Sequence, residues 1–146
     1  MTEPAARLRV SVMSATGDQV FLRGQPIQLA VVVNRQSHLH CFLRDDRQQY
    51  QRIFPNRFQR DTLLRAGEAL QLPGQMRFQI LASPRGITEA VICYATERET
   101  IGRLPRRISG GDFENLPVTS FDEIKEAFRE ATKDQFTEGV FLIRTR

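Results

Sequence analysis

The chain reads as a mainly β protein, an Ig-like antiparallel β-sandwich with one amphipathic helix at about 121–132 before a final strand. Three observations carry that reading. Apolar residues alternate with period two along most of the chain, turn residues interrupt the runs at intervals of roughly 8–12 residues, and helical periodicity occurs once. With 146 residues, 40% hydrophobic and 26% charged, the sequence fits a single domain spanning 1–146. A fold of this size buries roughly 68–70% of the unfolded surface, so it requires neither a disulfide framework nor a metal.

The strongest strand is Ile27-Gln28-Leu29-Ala30-Val31-Val32-Val33, where the odd positions form one apolar face and β-branched residues dominate the second half. Gly24-Gln25-Pro26 supplies the turn before it, and Pro at a strand start forfeits no ladder bond. Comparable runs are Leu8–Val12, Gln19–Leu22, Ser37–Leu43, Gln51–Phe54, Ala69–Leu72, Met76–Ile80, Ala90–Ala95 and Gly139–Ile143. Gly17-Asp18, Asp45-Asp46, Pro55-Asn56, Pro73-Gly74 and Pro84-Arg85-Gly86 punctuate them, and these connectors are too short for crossover helices.

Ser120-Phe121-Asp122-Glu123 reads as a capping box, and Phe121, Ile124, Phe128 and Ala131 form one apolar stripe behind it. Asp122 and Glu123 suit the positive start of that helix, Arg129 and Lys133 its end. Between the Ala90–Ala95 run and the helix, residues 97–119 read as a long loop of the kind that is functional or mobile.

The formal charge is +4, and 19 of the 21 basic residues are arginine. Residues 1–111 carry 16 Arg against 9 acids, whereas 112–138 carry 3 bases against 8 acids, so the chain is dipolar. Arg44, Arg47, Arg52, Arg57, Arg60 and Arg65 are interrupted by Asp45, Asp46 and Asp61 rather than interleaved with stacking aromatics, which argues against nucleic acid as a partner. Intramolecular pairing to the acidic segment is the expected use of these cations. No apolar run approaches the roughly 18 residues that cross a bilayer. Pro4-Ala5-Ala6 suits the end of a linker, so the domain is expected to be cut from a longer protein and to meet a membrane only through an attached segment.

Gly-x-x-x-x-Gly-Lys, Gly-x-Gly-x-x-Gly and Gly-x-Ser-x-Gly motifs are absent, which removes the usual phosphate cradles and the nucleophile elbow. His38 and His40 share a strand face with Phe42; two imidazoles do not make a metal site, and packing beside Phe42 is their expected role. No cofactor and no catalytic residue is expected. Cys41 and Cys93 sit in two apolar strands, where a bridge and a pair of buried thiols are both open readings. Asp45-Asp46 reads as a hairpin turn, and Thr96, Glu97, Glu99 and Thr100 form the best polar cluster, on an exposed loop.

Ser37-His38-Leu39-His40-Cys41-Phe42-Leu43-Arg44-Asp45, the corner Ile53-Phe54-Pro55-Asn56-Arg57-Phe58, and Leu64-Arg65-Ala66-Gly67-Glu68 with Leu72-Pro73 resemble the bacterial domain-of-unknown-function family numbered four-three-eight-four, over about residues 19–96. His38 and His40 stand where that family often has tyrosines. The resemblance implies an accessory module attached to Ser/Thr protein kinases, peptidases or envelope proteins, with no activity to carry over. The expectation is therefore a non-catalytic sensing or protein-interaction module of a larger bacterial protein, most simply a Ser/Thr kinase, binding a protein or acidic ligand through exposed loops or an uncovered sheet edge. The alternative is a cytoplasmic adaptor or secretion-associated subunit. Candidate contact residues are Arg47, Arg52, Asn56, Arg57 and Arg60 around the corner, with Arg103, Arg106 and Arg107 in the long loop. A bridge between the cysteines would favour the envelope.

Overall fold

The computed structural model describes residues 7–146, the side chain of Ile101 apart; the Pro4-Ala5-Ala6 stretch lies outside the described residues. In chain order the strands are β1 (Val10–Ser14), β2 (Val20–Phe21), β3 (Pro26–Ile27), β4 (Leu29–Val33), β5 (Ser37–Arg44), β6 (Tyr50–Phe54), β7 (Leu63–Leu64), β8 (Ala69–Leu72), β9 (Ile80–Leu81) and β10 (Glu89–Thr96). A 3₁₀ turn (Ile101–Arg103), the single turn α1 (Arg106–Ser109) and helix α2 (Phe121–Thr132) follow, and β11 (Phe136–Thr145) closes the chain.

Two sheets make the sandwich, one of order β1-β4-β8 and one of order β2-β11-β10-β5-β6 with β7 paired to the start of β5, while β3 and β9 form a separate two-stranded ribbon. All pairings are antiparallel except β2, which runs parallel to the end of β11. Strands β1, β4 and β8 facing β5, β10 and β11 reproduce the A-B-E and C-F-G sheets of the immunoglobulin fold. The mainly β, Ig-like expectation therefore holds, with α2 placed before the last strand as its stripe required.

Alternation makes the core. Val10, Leu29, Val31, Val33, Leu70 and Leu72 from the small sheet meet Leu39, Cys41, Phe54, Val91, Cys93 and Ile143 from the large one, all buried. The opposite face of the large sheet carries Phe42, Tyr50, Ile92 and Tyr94, and a second buried cluster covers them with Leu104, Ile108, Leu116 and Val118 and with Ile124, Ala127 and Phe128 of α2. The molecule thus has three layers. The 97–119 segment, expected as a functional or mobile loop, is largely the covering layer of that outer face.

Two strand expectations are corrected. The Ile27–Val33 run breaks at Gln28: Pro26 and Ile27 pair with β9, while Leu29–Val33 pairs with β1 and β8. Gln28 O accepts from Ala15 N, and its side-chain Oε1 accepts from Gly74 N, which holds the break. The Met76–Ile80 run forms a strand only at Ile80–Leu81, because Met76 N bonds Pro73 O and Phe78 N bonds Met76 O in a local turn. Cys41 and Cys93 face each other across β5 and β10 and form a disulfide, both fully buried.

Candidate functional site

The Ile53-Phe54-Pro55-Asn56 corner is built from the inside. Phe54 fills the core, and Asn56, also buried, donates from Nδ2 to Ile53 O while its Oδ1 accepts from Phe58 N and Gln59 N. Asn56 is thus committed to the fold. Arg52 pairs with Asp112, and Arg57 reaches the same carboxylate through its backbone N at 2.8 Å and Nε at 3.3 Å. Burial works to raise the Asp112 carboxyl, but its bonds to Arg52 and Arg57 outweigh that and hold it below the ordinary carboxylate range. These two arginines tie the 97–119 segment down. Arg47, in the β5–β6 turn, and Arg60, Arg106 and Arg107 remain exposed, and Arg103 lines a cleft beside the end of α2.

His40 lies under α2 with its ring edge-on to Phe128, centroids 5.4 Å apart, and neither ring nitrogen has a partner. Burial first, then the Arg52 and His38 charges, drives its pKa down to about 3, so the imidazole is a neutral packing group. His38 Nδ1 bonds Thr62 Oγ1 at 2.8 Å. Tyr94, opposite His40, stacks on Phe128 at 4.5 Å. Glu89, 6% exposed at the start of β10, meets backbone donors of Asp46 and Ser83. Burial and then the Asp46 and Asp45 carboxylates raise it to about 7. Asp46 itself is held low by the Ser83 hydroxyl and Arg85. Among the described residues no three His, Cys, Asp or Glu side chains could hold one metal ion.

The feature best shaped for recognition is a seam between the two sheets. Strand β1 pairs only with β4, and β11 pairs with β10 on one side but with β2 only at Arg144 and Thr145 on the other. Among the described residues, the outer edge of β1 and the edge of β11 over 136–143 therefore have no ladder partner. These two edges lie side by side. At Gly139 they touch, since a Cβ there would sit 2.6 Å from Val10 O, so glycine is what lets β1 approach. Beyond Gly139 the seam widens into a groove of about 470 Å³ with an apolar wall of Val12, Met13, Val140 and Leu142 and a polar side that includes Asp18, Gln19 and Arg144. Met13, Val140 and Leu142 are 43%, 51% and 41% exposed, an apolar wall on an unpaired edge. Val12, Val140 and Leu142 fall in runs expected as strands and Met13 lies one residue past the Leu8–Val12 run, and nothing in the periodicity marks the edge, because edge position depends on sheet order.

No curated protein and no solved structure matches the chain. A family model described as Domain of unknown function (DUF4384) matches residues 20–99, from the start of β2 to just past β10, leaving α2 and β11 outside the matched span. That span is more than half of the sequence and contains the Phe54-Pro55-Asn56 corner and both cysteines, so the chain belongs to the DUF4384 family.

Proposed function

We propose that this chain is a non-catalytic recognition module of a larger bacterial protein, with a Ser/Thr protein kinase as the attached unit, and that it captures an extended segment of a partner protein in the β1–β11 seam. The observation that carries this reading is the meeting of two unpaired strand edges at a groove with an apolar wall. A segment laid there hydrogen-bonds the β11 edge through its main chain and places alternate side chains against Met13, Val140 and Leu142. Main-chain bonds supply affinity with little sequence demand, and the apolar wall supplies selectivity. The kinase context rests on the company the family keeps. The buried Cys41–Cys93 bridge supports an oxidising compartment such as the envelope over a cytoplasmic adaptor.

The test is crosslinking in the host from a photoreactive side chain at position 142 of the full-length protein. Trapping of a partner segment that Val140→Lys abolishes, with no trapping from the same probe at exposed Leu81, is the expected result. Equal trapping from both positions contradicts the reading.

A further inference from the structure

We propose that a second site, at the opposite end of β11 from the groove, binds the phosphate group of a phosphorylated side chain or of a free phosphate: the cleft between the 96–103 segment and the end of α2. The cleft holds about 320 Å³, enough for a phosphate on a short stem. Arg98, Arg103 and Lys133 line it. None of the three has an ion-pair partner among the described residues, whereas Arg35, Arg52, Arg57, Arg85, Lys125 and Arg129 all do. The acid on the wall, Glu97, is taken by Arg35.

The second observation is Thr100. It lines the same cleft, is 2% exposed, and its Oγ1 has no hydrogen-bond partner. A buried hydroxyl without an acceptor is uncommon, and one that shares a cleft with three cations lacking ion-pair partners is matched by an incoming anionic oxygen. The wall is fixed before any ligand arrives. Thr96 Oγ1 donates to Arg98 O at 2.7 Å, and Thr100 O accepts from Arg103 N and Leu104 N.

The end of α2 opposes an anion, but weakly. A helix C-terminus is equivalent to about half a negative charge, against three full cations, and its last carbonyls are already occupied: Lys133 N and Asp134 N bond Arg129 O, and Gln135 N bonds Thr132 O. Three cations with one hydroxyl donor suit a dianion with three oxygens better than a carboxylate. This inference stands apart from strand capture in the seam, because it uses different residues and a different ligand.

The experiment is an NMR titration of the ¹⁵N-labelled chain with inorganic phosphate and, separately, with a phosphoserine peptide and its unphosphorylated form at constant ionic strength. Saturable shifts confined to 96–103 and 131–135, weakened about tenfold or more by the double variant Arg98→Ala with Arg103→Ala and several-fold by Thr100→Val, are expected. The control pair Arg65→Ala with Arg77→Ala, of equal charge loss, leaves them unchanged. Tighter binding of the phosphopeptide than of inorganic phosphate assigns a protein side chain as source; equal binding assigns free phosphate. Linear shifts spread over all exposed arginines, or equal loss in the control pair, overturn the site.

Discussion

Glu89 opens β10 beneath the β5–β6 turn, where burial and the Asp46 and Asp45 carboxylates hold its pKa up to about 7. An unfolded glutamate titrates near 4.3, so between those values the folded chain keeps a proton that the unfolded chain has released. The stability this adds is full below about pH 4.3 and is lost as pH rises through about 7. Relative to Glu89→Gln, the parent therefore loses on the order of 2–3 kcal/mol between pH 4.5 and 8, read from urea midpoints. His40 works in the other sense. Its folded pKa of about 3 lies below the unfolded value near 6.5, so stability is full above pH 6.5 and falls as pH drops toward 3. His40→Leu makes the acid limb shallower, leaving there the loss that Asp46 and Asp112, both held low, contribute as pH falls; profiles parallel to the parent in both variants would contradict these assignments. The packing role of His40 was legible from its place beside Phe42, whereas Asn56, expected as a contact residue, spends its side chain on the backbone of the corner. The neutral Glu89 was not, because its neighbours Asp45 and Asp46 are 44 and 43 positions away in sequence and meet it only in the fold.

At the scale of elements, α2 is the part most fully written in local sequence. Ser120 Oγ accepts from Glu123 N, and Glu123 returns a bond to Thr119 N rather than to Ser120 N, one position earlier than a strict capping box. Phe128 is fully buried among Phe42, Tyr94 and His40, so Phe128→Ala costs about 3–5 kcal/mol and Ser120→Ala about 1 kcal/mol by chemical denaturation. The bridge between β5 and β10 closes a separation of 52 residues, for which chain entropy gives about 4 kcal/mol; Cys41→Ala with Cys93→Ala is expected to lower stability by about 2–4 kcal/mol. Full burial adds a second check: the folded parent shows no thiol alkylation even with reductant present, until denaturant opens it. Strand β8 was legible from its alternation, buried Leu70 and Leu72 against exposed Ala69 and Gln71, and β5 and β10 from apolar runs bounded by turn residues, β10 being buried on both faces. The break at Gln28 and the turn at 76–78 were not, because hydrogen bonds to distant backbone, Ala15 and Gly74 in one case, and a tight local turn in the other, override the alternation there. Two-residue β7 is too short to show a period.

At the scale of the molecule, the charge dipole of the sequence is partly spent inside. Asp112 of the acidic segment anchors Arg52 and Arg57, while Arg35 and Arg85 find acids within the basic portion. Candidate residues chosen by charge thus divide into those that fasten the covering layer and those left to solvent. No helix among the described residues is long and apolar enough to cross a membrane. What charge and periodicity did not reveal is which strands end at the sheet borders, since pairing order is set by contacts far apart in sequence; for that reason Val140 and Leu142 read as ordinary strand residues and Met13 falls just past the expected Leu8–Val12 strand. Their exposure on two adjacent unpaired edges is what makes strand capture the central claim. Hydrogen exchange of the backbone amides at 137–143, with and without the crosslinked partner segment supplied as a synthetic peptide, tests it most directly. The outward-pointing amides exchange rapidly in the free chain and become strongly protected with peptide bound. Protection confined to other segments, or none, would contradict the account.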